Sequence, residues 1–152
     1  MKLAITASPA AALLNAALQS IDDLVPVEVG KPDLVQAPLL QTDFGVLIGI
    51  LGSLKGRLLI LGEEEVFTKA GLAMYGLEPS GEMLESFVGE FGNSVAVHAA
   101  TKLSKEGLAI DITPPTTMRG RVHLGGFKSA IQVPFLMNRG EQGQFVLAIE
   151  DG

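Results

Sequence analysis

Two polar side chains three residues apart, Glu90 and Asn93, are the groups in this chain best suited to do chemistry together. They lie in residues 84–103, which otherwise have the pattern of a helix with one apolar face. At about 100° per residue, their side chains stand roughly 60° apart on one helical face, one turn from each other. A carboxylate held there can pair with a cation, while the neighbouring carboxamide can orient a water molecule.

The helix that must position this pair separates into an apolar side and a polar side. On a helical wheel, the apolar side has core spacing and comprises Leu84, Val88, Phe91, Gly92, Val95, Ala99 and Leu103. The polar side comprises Ser86, Glu90, Asn93, Ser94, Val97 and Thr101. Because such a polar side is too costly to bury without partners, we expect Glu90 and Asn93 to face solvent.

Two glycines inside this helix, Gly89 and Gly92, require an explanation. Glycine in a helix interior costs about 1 kcal/mol relative to alanine. One explanation is the close approach of a binding partner, and the other is tight packing against a neighbouring element of the same domain. Gly89 flanks the polar side, whereas Gly92 turns toward the core. The sequence leaves both explanations open.

Composition predicts one globular domain that spans residues 1–152. Apolar residues make up 47% of the chain and charged residues 18%, which excludes a disordered protein. The formal net charge is −6, basic residues form no cluster, and the chain has one Tyr and no Trp for base stacking. We therefore expect no nucleic-acid partner.

Several kinds of site are also excluded. The absence of cysteine removes disulfides, a thiolate nucleophile and thiolate metal ligands. The two histidines, His98 and His123, are too far apart in sequence to indicate a metal cluster, so we expect no metal site.

The sequence also gives no strong signal for export or membrane insertion. The first residues weakly resemble a signal peptide but continue as an amphipathic helix to Leu24. The longest uncharged internal run, Phe44–Leu54, is shorter than the about 20 residues that a membrane span requires. We expect a cytoplasmic protein with no membrane insertion.

Hydrophobic periodicity predicts three helices joined by short strands. The first helix runs from a Ser8 cap to Leu24, the second opens at Glu63–Glu65 and ends at Tyr75, and the third precedes a stop at Gly107. The predicted strands are Val25–Val29, Leu34–Leu40, Phe44–Leu51, Gly56–Leu61, Ala109–Thr113, Thr116–Leu124, Phe127–Phe135 and Gln144–Ile149.

The order of these elements predicts a two-layer α+β fold. Consecutive strands mostly lack room for a helical crossover, so the sheet is expected to be largely antiparallel with the helices on one face. Residues 52–55 predict a hairpin with a four-residue loop between the two most apolar strands. Pro134, inside a predicted strand, indicates a sheet edge or a bulge.

Glu90 and Asn93 also belong to a longer pattern that resembles a known family. They are preceded by Ser86 and followed by residues 111–115, which read Asp-Ile-Thr-Pro-Pro. This combination resembles the CheC, CheX and FliY class of chemotaxis phosphatases, and the CheX branch most of all. The similarity runs from the first helix through the hairpin at 52–56 to residues 118–120, which is most of the chain.

The resemblance implies a fold, a reaction and partners. The fold is a two-layer α/β arrangement built from a degenerate internal duplication, with Ala12 and Asn15 of the first helix at the positions of Glu90 and Asn93. Members of the class remove the phosphoryl group from the aspartate of a CheY-type response regulator. They need no cofactor of their own, because the phosphorylated regulator supplies Mg²⁺. CheX relatives also form homodimers through sheet edges, which implies a homodimer here.

Roles for individual residues follow from the same resemblance. Asn93 would hold the attacking water, and Glu90 would pair with the active-site lysine of the regulator. The contact surface would include Ser86, Gly89, Val97 and Pro114.

Two other functions compete with this interpretation. The first is a non-catalytic module of the same fold that binds a response regulator or a flagellar-switch component. The second is a hydrolase of small phosphoesters, which is disfavoured because the sequence has no Gly-rich phosphate loop and no nucleophile–base pair.

Overall fold

A computed structural model of the chain describes residues 8–36 and 43–151. These residues form three helices and eight strands. In chain order they are α1 (Pro9–Leu24), β1 (Val27–Val29), β2 (Asp33–Val35), β3 (Phe44–Gly52), β4 (Lys55–Gly62), α2 (Glu64–Tyr75), α3 (Gly81–Ser104), β5 (Ile110–Ile112), β6 (Thr116–Arg119), β7 (Ser129–Met137) and β8 (Gln142–Asp151).

The helix ends follow the local signals in the sequence. The Ser8 hydroxyl accepts a hydrogen bond of 3.3 Å from the Ala11 amide, and Pro9 occupies the first turn of α1. Gly76 ends α2 in a left-handed conformation with φ of 80°, and Gly107, with φ of 84°, follows the last turn of α3. The three predicted helices are confirmed. Across residues 8–36 and 43–151, no helix is both long and apolar enough to cross a membrane.

The strands form one sheet in which every pairing is antiparallel, as predicted. Its order is β1-β7-β8-β4-β3-β5, with β2 also beside β7 and β6 also beside β3. The long strands β3, β4, β7 and β8 therefore form the centre, and short strands form both edges. β5 and β6 are successive pieces of the edge that borders β3.

The three helices contribute to a single hydrophobic core against one face of the sheet. This core joins Leu13 of α1, Phe67 of α2 and Val88 of α3 to alternate residues of β3, among them Val46 and Ile48. The burial of alternate β3 residues follows from the two-residue period of a strand. The predicted two-layer α+β architecture is confirmed.

The opposite face of the sheet is covered in part by the segment that follows Arg119, and this corrects one predicted strand. The strand predicted at Thr116–Leu124 ends at Arg119, because Gly120 adopts a φ of 89° and turns the chain across the sheet. The Arg57 guanidinium donates a 2.6 Å hydrogen bond to the Gly125 carbonyl and holds this segment in place. Leu124 packs there in a second cluster with Leu59, Leu61, Ala130, Val146 and Ala148.

Two other strand boundaries differ from the sequence prediction. β3 and β4 extend to Gly52 and Lys55, so only Ser53 and Leu54 remain between them instead of a four-residue loop. Leu54 is buried in the hydrophobic core, so the turn between the two strands packs against the rest of the protein. The strand predicted at Leu34–Leu40 is observed at Asp33–Val35, and residues 37–40 lie outside the described residues.

Pro134 lies in the interior strand β7, at the interruption between β1 and β2. Its carbonyl accepts a 2.7 Å hydrogen bond from the Gly30 amide, which belongs to the connection between those two short strands. Because proline cannot donate a backbone hydrogen bond, it fits where the neighbouring strand is broken. The sequence signal was therefore correct about an irregularity, although β7 itself is not an edge strand.

An ion pair ties α1 to the long helix α3. The Lys102 ammonium lies 3.2 Å from one Asp23 oxygen, and the Gln19 amide donates to the other at 2.9 Å. The hydrogen bond from Gln19, followed by that from Lys102, holds the pKa of Asp23 below its ordinary value. α3 is thus held on one side by α1 and beneath by the sheet.

Candidate functional site

The outer face of α3 carries the residues that the sequence singled out. Glu90 and Asn93 are both exposed, as are Ser86 before them and Val97 one turn after Asn93. The opposite face of the same helix, which includes Phe91, is buried in the core. The predicted division of α3 into a core side and a solvent side is confirmed.

Glu90 and Asn93 are free to engage another molecule. Within the part of the chain that the structure describes, neither side chain forms a hydrogen bond or an ion pair. Their separation of three residues corresponds to about 4.5 Å of rise along the helix axis. A carboxylate and a carboxamide are therefore presented side by side, on a rigid element, with their polar atoms uncommitted.

An open groove of about 620 Å³ runs beside these two side chains. One wall is α3 and the other is the end of β5 with the loop that follows it. The groove is lined by Glu85, Ser86, Gly89, Glu90, Asn93, Ile112, Thr113, Pro114 and Pro115. The fold thus brings Pro114 to the helix residues although it stands 21 positions beyond Asn93 in sequence. Of the predicted site residues, Val97 lies outside the lining.

The two prolines form a bulge in the edge strand. Ile112 is opposite Ile50 on β3, whereas Thr116 is opposite Leu47, so four steps along the edge match three along β3. One extra residue is therefore accommodated at Pro114 and Pro115. Bulges of this kind re-aim the chain beside functional sites, and proline suits them because it needs no ladder partner for its nitrogen. The bulge directs this loop toward α3.

The two helix glycines have different structural reasons. A Cβ built on Gly92 would stand 2.6 Å from a methyl of the buried Val46, so this glycine lets α3 lie close to β3. A Cβ on Gly89 would meet Thr117 at 3.6 Å and Pro115 at 3.7 Å, which are ordinary contacts. The packing explanation therefore holds for Gly92. It does not hold for Gly89, which lines the groove, because an alanine side chain would fit there without a clash.

Arg119 contacts Glu85, one of the residues that line the groove. Its guanidinium lies 3.1 Å from Glu85 and 3.7 Å from Glu64 at the start of α2, and it stands 4.8 Å above the centre of the Phe44 ring. The carboxylates and Arg119 are about half exposed, so these pairs add little stability. Their effect is geometric, because they connect β6 to the first turns of both α2 and α3.

The described residues do not include a group of three or more Asp, Glu or His side chains that could hold a metal ion. Both histidines are exposed, as expected from the sequence. The functional groups that the groove offers are thus carboxylate, carboxamide and hydroxyl oxygens. Such groups can hold and orient a substrate or a water molecule.

Sequence reasoning assigned no role to four residues of the groove lining, which are Glu85, Ile112, Thr113 and Pro115. Their positions depend on the register of β5 and β6 along β3, which the sequence pattern does not specify. The available signal was the pair of prolines directly after a short strand, because a proline pair that interrupts an edge strand indicates an irregular, exposed segment.

Comparison with known proteins places this chain in a family. The sequence model described as "Chemotaxis phosphatase CheX" matches residues 44–136, a range that contains Glu90, Asn93 and Pro114. The chain belongs to the CheX family. The resemblance inferred from its sequence pattern is confirmed.

Similarity to individual CheX relatives extends over nearly the whole chain. The CheY-P phosphatase CheX of Thermotoga maritima is 30% identical over 147 residues, which cover 93% of this chain and 95% of the relative. A CheC-like superfamily protein from Shewanella sp. PV-4 is 28% identical, with a TM-score of 0.77 over 92% of this chain and 98% of its own. The CheX-CheY-BeF3-Mg complex from Borrelia burgdorferi contains a chain that is 26% identical, with a TM-score of 0.74 and coverages of 92% and 96%.

Proposed function

We propose that this chain is a phosphatase that hydrolyses the aspartyl phosphate of a CheY-type response regulator in chemotaxis or a related two-component pathway. The observation that carries the proposal is the exposed, uncommitted pair of Glu90 and Asn93 on the groove of a CheX-family fold. The name of the Thermotoga relative and the CheY bound in the Borrelia complex support the choice of substrate.

The reaction needs few groups from this chain because an aspartyl phosphate is already activated. Water adds to the phosphorus, the bond between phosphorus and the aspartyl oxygen breaks, and the regulator's carboxylate and inorganic phosphate are released. The protons of the water pass to the phosphate product and to solvent. An aspartate carboxyl has an ordinary pKa of about 3.9, so it leaves as a carboxylate without a general acid. Positioning and electrostatic stabilisation are therefore sufficient.

In this proposal, Asn93 provides the positioning. Its carboxamide enters beside the phosphorylated aspartate and holds a water in line with the bond that breaks. Both an oxygen acceptor and two N–H donors are available on one amide, so it can accept from the water and donate to a phosphoryl oxygen. The rigid helix and the absence of competing partners among the described residues support this role.

Glu90 provides the docking contact in this proposal. A carboxylate about one helical turn from Asn93 can pair with the regulator's active-site lysine, which fixes the register of the two proteins. Ser86, Val97 and Pro114, which are exposed, complete the contact surface around it, and Gly89, which is itself buried, forms part of the groove floor. Gly89 keeps the groove floor low, so that the regulator's backbone approaches α3 closely.

The proposed reaction uses no cofactor that belongs to this chain. The Borrelia complex contains Mg²⁺ together with CheY and BeF3, which supports a Mg²⁺ ion that arrives with the regulator. It would neutralise phosphoryl charge inside the regulator's own site. We expect the protein to act in the cytoplasm, where response regulators are phosphorylated, and to do so as a homodimer.

A dephosphorylation time course tests the function. The organism's own regulators are phosphorylated, and phosphate release is followed with this protein at a concentration well below that of the regulator. The proposal predicts many turnovers per molecule on at least one regulator and none on a generic small phosphoester. A binding module would leave the phosphoryl lifetime unchanged at this ratio, and a small-phosphoester hydrolase would cleave the generic ester. Either result would overturn the proposal.

A further inference from the structure

Thr113 joins the groove wall to the sheet through three hydrogen bonds. Its amide donates to the Gly49 carbonyl at 3.0 Å, and its hydroxyl oxygen accepts from the Gly49 amide at 2.8 Å. The same hydroxyl donates to the Pro114 carbonyl at 3.2 Å. A single side chain therefore bonds both to Gly49 of β3 and to the first proline of the bulge.

The hydroxyl takes the place of a backbone acceptor. In a regular antiparallel pair, the Gly49 amide would donate to the carbonyl of the residue opposite, and that residue is Thr113. Here the Gly49 amide donates to the Thr113 side chain instead. The edge strand can therefore stop pairing with β3 at this point while the Gly49 amide keeps a hydrogen-bond acceptor. The prolines that follow cannot donate backbone hydrogen bonds themselves, which makes this bond the last firm attachment before the bulge.

Gly49 is matched to this arrangement. A Cβ built on Gly49 would stand 2.8 Å from the Thr113 methyl and 3.1 Å from its hydroxyl oxygen. Only glycine at this position lets the threonine side chain lie flat against β3. The contact therefore depends on both residues: Gly49 has no side chain, and this leaves room for the Thr113 side chain to bond to the Gly49 backbone.

We propose that Thr113 is a positioning residue that fixes the Pro114–Pro115 wall of the groove for regulator docking. The proposal rests on the proposed function of this groove. Thr113 is itself part of the groove lining, and Pro115 lies so near the opposite wall that a Cβ built on Gly89 would stand 3.7 Å from it. Loss of the hydroxyl frees the Gly49 amide and the Pro114 carbonyl together, so that only the Thr113 amide still bonds to Gly49 and the prolines are held less firmly opposite α3.

The predicted effect is on binding rather than on the chemical step. Thr113 acts through the wall that contacts the regulator, whereas Asn93 lies on the helix and keeps its position. Replacement of Thr113 should therefore raise KM, while kcat at saturating regulator stays at the wild-type value. Loss of one hydrogen bond of this kind corresponds to about a tenfold change.

Two substitutions separate the hydroxyl from the shape of the side chain. Thr113→Val keeps the branched shape and removes the hydroxyl, and Thr113→Ser keeps the hydroxyl and removes the methyl. The Kd for the regulator loaded with beryllofluoride and Mg²⁺ is measured together with KM and kcat. We expect Thr113→Val to weaken binding about tenfold, with Thr113→Ser near the wild-type value.

Ile48→Val provides the control for a loss of stability alone. It removes a buried methylene one residue from Gly49 without touching the groove, and thermal unfolding of each variant is recorded. Wild-type binding by Thr113→Val, failure of Thr113→Ser to restore binding, or equal weakening in Ile48→Val would overturn the role of Thr113. A wild-type protein that neither binds nor dephosphorylates any regulator would instead overturn the proposed function, and the docking role with it.

Discussion

Glu90 and Asn93 owe their availability to the same helix that buries their neighbours. Phe91 and Val95 hold α3 in the core, and that burial fixes the rotation of the helix about its axis. The polar pair is therefore presented to solvent without any side chain of the described chain holding it. The helix fixes the backbone of both residues in advance, so docking has to order only their side chains, which favours affinity and accurate placement of water.

Charge at position 90 is expected to determine docking. Glu90→Gln keeps the size of the side chain and removes its charge, so the pairing with the regulator's lysine is lost. We predict about a tenfold rise in Kd for the beryllofluoride-loaded regulator, with a lower kcat as well, measured by titration and by phosphate release.

Glu82→Gln is the matched control for this prediction. Glu82 is also an exposed acid of α3, but it lies in the first turn and outside the groove lining. The same loss of net charge should leave binding unchanged there. Equal effects of the two substitutions would show that overall charge matters rather than the position of Glu90.

The polar pair was readable from sequence because a helix has a fixed period. Spacing alone placed Glu90 and Asn93 on one face, and burial of the other face confirms it. Thr113 was not identified, because its role arises from a side chain that replaces a backbone acceptor on a distant strand. A side-chain hydroxyl that takes the place of a backbone acceptor produces no periodic pattern in the sequence.

At the scale of elements, α3 is the part on which the site depends. It packs against β3 through Gly92 and Val46, and against α1 through the Lys102–Asp23 pair. The opposite wall is an edge strand broken by prolines. A rigid helix therefore faces a short loop that is held at its two ends by β5 and β6.

The two glycines of α3 should respond to alanine in opposite ways. Gly92→Ala forces a methyl against the buried Val46 and should lower the free energy of unfolding by about 1–3 kcal/mol. Gly89→Ala finds ordinary contacts and improves helix propensity, so the free energy of unfolding should rise by up to about 1 kcal/mol. Denaturant unfolding of both variants measures the difference.

Gly89→Ala should nevertheless weaken regulator binding, because the added methyl raises the groove floor. A more stable variant that binds less well is the expected signature of a glycine retained for function. Unchanged binding in Gly89→Ala would remove Gly89 from the contact surface. A destabilised Gly89→Ala would mean that its packing within the chain is tighter than the observed contacts of 3.6 Å and 3.7 Å allow.

Element type and order were predictable, but several ends were not. Capping at Ser8 and left-handed glycines at positions 76 and 107 marked the helices correctly. The strand predicted through Leu124 failed, since alternation continues past Gly120 although the chain turns there to cover the second face. Alternation of apolar and polar residues indicates which side chains are buried, but it does not show which part of the protein covers them.

For the whole molecule, the two edges of the sheet have different character. The β5–β6 edge carries the proline bulge and borders the groove, which protects it from pairing with another chain. The β1–β2 edge exposes Val29 (43% accessible) and Leu34 (61% accessible). For the homodimer through sheet edges that the family resemblance implies, we expect this second edge to form the contact.

Leu34→Lys should therefore give a monomer. The charge opposes burial at the β1–β2 edge, and light scattering after size exclusion should give the mass of one chain, against twice that mass for the wild type. Leu51→Lys is the matched control, because Leu51 is 46% accessible and lies near the opposite edge. Dimers in both variants would exclude the β1–β2 edge, and a monomeric wild type would exclude the dimer.

Asn93→Ala tests whether Asn93 positions the attacking water on a bound regulator. Phosphate release from the phosphorylated regulator and Kd for its beryllofluoride form are measured for the wild type, Asn93→Ala and the control Asn15→Ala in α1. We predict that Asn93→Ala lowers kcat by about 10²–10³ while Kd is retained, and that Asn15→Ala changes neither. Full turnover by Asn93→Ala would contradict the account.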